Sequence, residues 1–389
     1  MNPETELRRP IIFAVCILSM LTGCFANVAP ATCLTTIAAE LGLDQTNKGF
    51  LLSVSFWGSA ATILLSGPLA DRWGFRIILI TSAVIQSCGL CLAARAVHYA
   101  DLLVGVLVLG CGRGLVTPLL TAIICELYPK RRSQAINLLH GFYPIGVVLT
   151  ITLILAFFYL GWSWRHAFAV LAVLVLSYGV AVLPIKLPSC AHESPDRMPA
   201  RQVLRSRSFA LLAAGTFLAG VTEIGTTTWI PDYIEEAAGG STMSGGMSLM
   251  LFALTMAAGR FAASAMGHRF VPKLLFTSGA VICIGGMLMV SIAQPFWLTM
   301  VCFSGLGLGA AALMPTAFAS GGDRFPQSGA TMYSVLVSCA MFGGAVGPTT
   351  IGVVADAAGL RAGIATLAVA PLLAILVMWR FFRSSHSGS

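Results

Sequence analysis

The chain has 389 residues, 57% of them hydrophobic and 10% charged, with a formal net charge of +8. Ordinary soluble domains carry about 25% charged residues, and the mean hydropathy here is +0.87. A soluble enzyme or soluble binding domain is excluded, and a lipid bilayer is the solvent that suits this composition.

A membrane-spanning helix needs about 20 mostly apolar residues. In chain order, such stretches run over 11–39, 47–70, 75–96, 101–127, 133–158, 164–187, 208–235, 243–267, 272–292, 296–320, 327–356 and 361–382. Several exceed the minimum, which implies tilt or extension beyond the lipid. The hydrophilic segment 188–207 separates six from six. The expected organisation is a six-helix bundle over 1–187, a linker over 188–207 and a second six-helix bundle over 208–389.

Charge placement gives an orientation. With the N-terminus in the cytoplasm, seventeen of the 23 Lys and Arg lie in segments on that side and four on the other, while Arg113 and Arg260 fall inside helices. This is the positive-inside pattern. The basic balance therefore reports topology, and no nucleic-acid partner is expected. Both termini are expected in the cytoplasm, and the short loops suggest a bacterial inner membrane. The eleven cysteines show no metal or disulfide spacing and read as small apolar packing residues.

The sequence is written twice. At a constant offset of 197 residues, Gly110 meets Gly307, Gly112 meets Gly309, Pro118 meets Pro315 and Glu126 meets Asp323. At the same offset Arg72 meets Arg269, Arg76 meets Lys273 and Gly23 meets Gly220. The run "LTGC" at 21–24, after Arg8 and Arg9, imitates a lipoprotein signal. The repeat aligns it with "LAGV" at 218–221, deep in the chain, so it reads as part of a first spanning helix. Two bundles of one topology are the pattern of transporters built from parallel repeats.

Between the second and third stretches lies "GPLADRWGFR", residues 67–76. Gly67 is expected to allow close backbone approach and Gly74 a tight turn. Asp71 suits a helix end or an arginine. This loop resembles the signature of the major facilitator superfamily, Gly-x-Leu-Ala-Asp-Arg-x-Gly-Arg-Arg/Lys. The chain supplies Gly67, Leu69, Ala70, Asp71, Arg72 and Gly74, departs at Phe75, then has Arg76. In the second-half copy, "SAMGHRFVPK", His268 replaces the aspartate. The resemblance implies an all-α membrane fold of twelve helices in two bundles, working by alternating access. "ELYPKRRSQA" at 126–135 resembles a second cluster of the family, in which a glutamate bonds an arginine of the first. Glu126 with Arg72 or Arg76 is thus the expected conformational latch, with Arg131 beside it.

Ionisable groups inside spanning helices are functional candidates by default. They are Arg113 in the fourth stretch, His140 in the fifth, Glu223 in the seventh and Arg260 in the eighth. By the family resemblance all four lie on cavity-lining helices. Glu223 is the proton-coupling candidate, since a carboxyl group withdrawn from water can bind and release a proton near neutral pH. The segments "GVTEIGTTTWIPDYI" and "NLLHGFYPIG" resemble the seventh and fifth helices of the fucose–proton symporter branch, which implies sugar uptake with protons. Asn27, Asn137, Tyr143, Thr227 and Trp229 are expected to bond or stack on a polyol.

Arg113 departs from that branch, and its guanidinium is shaped for a carboxylate. Either Arg113 and Arg260 contact an anionic substrate, or Arg113 pairs with Glu223 in a neutral cavity. "GLGLGA" at 305–310 lacks the strand a nucleotide fingerprint needs and reads as helix packing. No catalytic triad, phosphate loop or metal constellation is present in the sequence. The expected function is proton-coupled symport of a small polar solute such as a sugar. The alternatives are a carboxylate transporter, a drug–proton antiporter or a non-transporting solute sensor. No enzyme activity, no cofactor beyond a coupling proton and a monomeric state are expected, with the solute and the bilayer as the partners.

Overall fold

A computed structural model describes residues 3–128, 132–187, 203–266, 271–292, 295–325 and 329–384. Side chains are described for all of these except 3–8, 71, 125, 132–134, 136–137, 140, 264–266, 329–331 and 384. The described elements are all helices: α1 (Pro3–Thr22), α2 (Phe25–Thr32), α3 (Leu34–Leu41), α4 (Gln45–Ala94), α5 (Tyr99–Leu127), α6 (Arg132–Tyr159), α7 (Trp164–Val182), α8 (Arg207–Glu236), α9 (Thr242–Met266), α10 (Pro272–Ile292), α11 (Phe296–Arg324), α12 (Gly329–Ala358), α13 (Leu360–Thr366) and α14 (Val369–Ser384). Helices are the expected answer where lipid cannot bond an exposed backbone group.

Among the described residues, twelve segments are long and apolar enough to cross a membrane, from Arg9–Thr32 to Leu360–Arg383. They reproduce the twelve stretches read from the sequence. The first crosses through α1 and α2, and the second and third are both carried by α4. Inside α4 the backbone breaks at Gly74, with φ 80° and ψ 155°. Only glycine adopts that conformation without strain, so the expected turn in "GPLADRWGFR" is present. Gly67 behaves otherwise. A Cβ built there meets nothing within 4 Å, so the close approach expected of Gly67 does not occur.

The chain forms two compact units. Unit 1 is Met1–Pro30 with Val54–Glu193, and unit 2 is Ala31–Ser53 with Ser194–Ser389. The last of the three boundaries, between residues 193 and 194, falls inside 188–207. The segment 31–53, which the expected organisation placed with the first bundle, packs instead in unit 2.

Within each unit the 197-residue repeat appears as repeated packing. A Cβ on Gly110 would stand 2.1 Å from the Ser55 carbonyl oxygen, and one on Gly307 would stand 2.5 Å from that of Phe252. Likewise Gly112 faces the Ser82 carbonyl at 2.9 Å and Gly309 faces that of Gly279 at 2.8 Å. Each second pair is the first moved by the same offset. Small residues let membrane helices touch backbone to backbone, where dispersion and weak polar contacts hold them.

Polar side chains inside unit 1 are satisfied across helices. Gln86 Nε2 donates to the Tyr178 hydroxyl at 2.8 Å, and that hydroxyl shares a 2.9 Å bond with Ser82 Oγ. Of the described cysteines all are free thiols, and Cys16, Cys24, Cys33 and Cys283 are buried.

Gly110→Val and Gly307→Val each force a side chain into a facing backbone. Overpacking of this kind costs about 1–3 kcal/mol. Both variants are expected to melt well below the parent in a detergent thermal-unfolding assay. Gly67→Ala, in open space and helical geometry, is expected to melt at or slightly above it.

Candidate functional site

Two polar clusters sit at the middle of spanning helices, one in each unit. In unit 1, Arg113 is the central residue of α5 and is 9% exposed. Its Nη1 donates to Asn27 Oδ1 at 3.1 Å, and the Asn27 Nδ2 donates to the Tyr143 hydroxyl at 3.3 Å. The guanidinium carbon stands 5.7 Å from the centre of the fully buried Phe56 ring. The local sequence explains how a guanidinium fits there. Gly110 and Gly114 bring α5 against α4, and Ser59 and Thr62 of α4 donate to the carbonyls of Gly110 and Cys111. Three helices, α2, α5 and α6, thus deliver one amide, one guanidinium and one phenol to one place. Placing a charge at the bilayer centre costs about 2.5–3.5 kcal/mol on insertion scales. Polar contacts from neighbouring helices offset that cost.

In unit 2, Glu223 lies near the middle of α8. Its Oε1 accepts from Arg260 Nη2 of α9 at 3.0 Å. The two side chains are 13% and 26% exposed. Among the described residues, Glu223 Oε2 and Arg260 Nε are buried and have no hydrogen-bond partner. One carboxylate oxygen and one N–H of this ion pair are therefore left over. Thr227 Oγ1 donates to the Glu223 carbonyl at 2.5 Å, which bends its hydroxyl back onto α8. Each intramembrane arginine has a polar partner inside its own unit. Glu223 is bonded by Arg260 rather than by Arg113, the pairing left open by sequence.

A third cluster was not anticipated. Lys48 in the first turn of α4 is 2% exposed, and Asp232 on α8 is 0% exposed. Lys48 Nζ donates to Asp232 Oδ1 at 3.1 Å and also to Glu236 Oε1. Thr35 of α3 donates to the same Asp232 oxygen at 3.4 Å. Lys48 and Asp232 are 184 residues apart, and in sequence Lys48 reads as one of four loop charges on the outer side. Asp232 and Glu236, spaced i and i+4 on one helix face, are the one sequence signal of this site.

Other expected residues take different places. Trp229, expected to contact substrate, is a packing residue: it is 0% exposed, and its indole N–H donates to the Pro348 carbonyl at 3.1 Å. The side chains of Asn137, His140 and Asp71 and the whole of Arg131 lie outside the described residues. Among the described residues no ion pair joins Glu126 to Arg72 or Arg76. Arg76 Nη2 instead donates to the Leu183 carbonyl, just past the end of α7, where the helix dipole favours a cation. Arg72 lies over the Trp73 ring at 5.8 Å.

The geometry is that of a membrane protein with two intramembrane charged clusters, and the comparisons agree. The sequence matches the family model of the Major Facilitator Superfamily over residues 11–303 and 246–389. It is 28% identical to the D-xylose transporter of Levilactobacillus brevis, over 43% of this chain and 37% of that one. The chain thus aligns with well under half the length of that relative. It is also 28% identical to the 3-(3-hydroxy-phenyl)propionate transporter of Escherichia coli strain K12, over 74% of this chain and 70% of that one. In fold it is similar to a crystal structure of a bacterial homologue of the human lysosomal transporter Spinster, with a TM-score of 0.80 and 15% identity over 98% of each chain. Matched by the family model over nearly all its length, and carrying twelve candidate spans among its described residues, this chain belongs to the Major Facilitator Superfamily.

Proposed function

We propose that this protein is a secondary active transporter, working by alternating access, that carries a small solute bearing a carboxylate together with protons. The observation that carries the substrate class is the setting of Arg113. A guanidinium at the centre of a spanning helix is oriented by an amide oxygen and an aromatic ring, beside a phenol. Its planar fork matches a carboxylate in a way that a lysine ammonium would not. The likeness to an aromatic-acid transporter over 74% of the chain supports the same reading. The proton is assigned to Glu223, whose second oxygen is buried without a partner among the described residues. The Lys and Arg placement supports cytoplasmic termini, and short loops support a bacterial inner membrane.

A sugar is the second reading. Asn27 and Tyr143 form the kind of amide–hydroxyl pair that bonds a polyol, and the D-xylose transporter is similar over 43% of the chain.

The test is counterflow in liposomes holding the purified protein, with a labelled phenylpropionate and labelled D-xylose as the two probes. Carboxylate counterflow is expected, and Arg113→Ala is expected to lower it by about a hundredfold, as loss of a charged hydrogen-bond partner of roughly 2–3 kcal/mol implies. Xylose counterflow with a silent carboxylate would overturn the carboxylate reading.

For coupling, Glu223→Gln is expected to keep counterflow and lose accumulation driven by an imposed pH gradient. Retained accumulation would remove Glu223 from that role. Trp229→Phe is expected to leave both activities near the parent level and to lower the melting temperature, because it deletes one buried hydrogen bond worth about 1 kcal/mol.

A further inference from the structure

The span Pro272–Ile292 carries Lys273 at its second residue, and the span Leu360–Arg383 ends with Arg380 and Arg383. Both ends fall on the side that the Lys and Arg placement assigns to the cytoplasm. Neither α10 nor α14 contains an Asp or Glu. Among the described residues no carboxylate pairs with Lys273, Arg380 or Arg383.

Local contacts bring these cations together. Lys273 Nζ lies over the Trp379 ring, 4.3 Å from its centre. The Trp379 indole N–H donates to Thr277 Oγ1 at 2.9 Å, and that hydroxyl donates to the Lys273 carbonyl at 2.7 Å. The indole is therefore fixed between α10 and α14 while 37% of it stays exposed. Arg383 follows Trp379 by four residues, which puts it on the same face of α14, and it is exposed. Towards the bilayer interior that face continues with Leu376 and Leu372, 55% and 51% exposed.

The repeat supplies a contrast within the same chain. At the 197-residue offset Lys273 corresponds to Arg76, Thr277 to Ile80, Trp379 to Val182 and Arg383 to Lys186. The charges recur, but the indole and its acceptor do not. In unit 1 Arg76 spends a donor on the Leu183 carbonyl. Lys273 rests on a ring face instead, which attracts its charge without taking up its N–H donors as an oxygen would.

We propose that the ends of α10 and α14 form a binding site for an anionic phospholipid. Lys273 and Arg383 take the headgroup phosphate, the Trp379 indole lies at the level of the glycerol, and an acyl chain follows Leu376 and Leu372. Cations at the end of a span attract anionic headgroups, and indoles favour the interface between headgroup and hydrocarbon. A free phosphate would meet the same cations, but it would make no use of the apolar track below them. The site lies within unit 2, and the inference is independent of the transported solute.

The test is lipid binding to the purified, delipidated full-length protein in detergent, titrated by native mass spectrometry. The probes are phosphatidylglycerol, phosphatidylcholine and inorganic phosphate. Phosphatidylglycerol is expected to bind about tenfold or more tightly than phosphatidylcholine, which carries the phosphate but no net charge, and millimolar phosphate is expected not to displace it. Lys273→Gln with Arg383→Gln is expected to weaken the tightest phosphatidylglycerol site by about thirtyfold, the attraction of two surface cations. Arg205→Gln with Arg207→Gln removes two exposed charges from the same side and is expected to stay within about twofold of the parent. Arg383→Gln alone, an exposed change, is expected to weaken binding by about fivefold and keeps the test open if the double variant does not fold. Equal weakening in the two double variants would mean attraction to the basic face as a whole and would overturn the site. So would parent-like binding in Arg383→Gln and in the Lys273 and Arg383 double variant. Displacement of the lipid by inorganic phosphate would assign the cations to a free anion and overturn the lipid.

Discussion

Inside the hydrocarbon layer there is no water to solvate a polar group, so each one must be satisfied by another part of the protein. Most features of this chain follow from that constraint. It makes every described element a helix. It sends the Ser59 and Thr62 hydroxyls to carbonyls of the neighbouring α5, and it ties Gln86, Ser82 and Tyr178 into one network. It also explains why the buried charges within the spanning helices come with company. Arg113 has Asn27, Glu223 has Arg260 and Lys48 has Asp232.

The repeat gives a second way to see the function. Backbone contacts obey the 197-residue offset, as the matched approaches of Gly110 to Ser55 and Gly307 to Phe252 show. The mid-span charges do not. At the same offset Arg113 corresponds to Ala310, Asn27 to Ile224 and Tyr143 to Ala340, while Glu223 corresponds to Ala26 and Arg260 to Ile63. The scaffold is duplicated and the chemistry is not. Symmetric glycines set how closely helices pack, and each copy then received its own polar cluster. Asp232 adds a variation: its counterpart at the offset is Thr35, and the two side chains are bonded to each other.

The helix α4 joins these themes. Gly74 divides it into two crossings, while its first two turns are held by α8 and α12 and the turns after Ser53 by α5.

Much of this was legible in the sequence because its cause is local. Spans follow from length and hydropathy, which depend only on the 30 Å scale of the bilayer. The turn at Gly74 follows from a backbone conformation only glycine accepts, and the duplication follows from identities at one offset. Arg113, Glu223 and Arg260 stood out because ionisable groups are costly in lipid, and Asn27 and Tyr143 through the resemblance to the symporter branch. What those residues touch was decided by tertiary structure. Glu223 had two arginines to choose from, and helix packing gave it Arg260. Trp229 had a plausible role in binding, and packing buried it against Pro348. Gly67 lay in a motif, and nothing approaches it. Lys48 looked like a loop charge until α4 folded against a helix 184 residues away. Composition and periodicity record what a residue costs in lipid. Its partner is set by long-range packing, which no local pattern encodes.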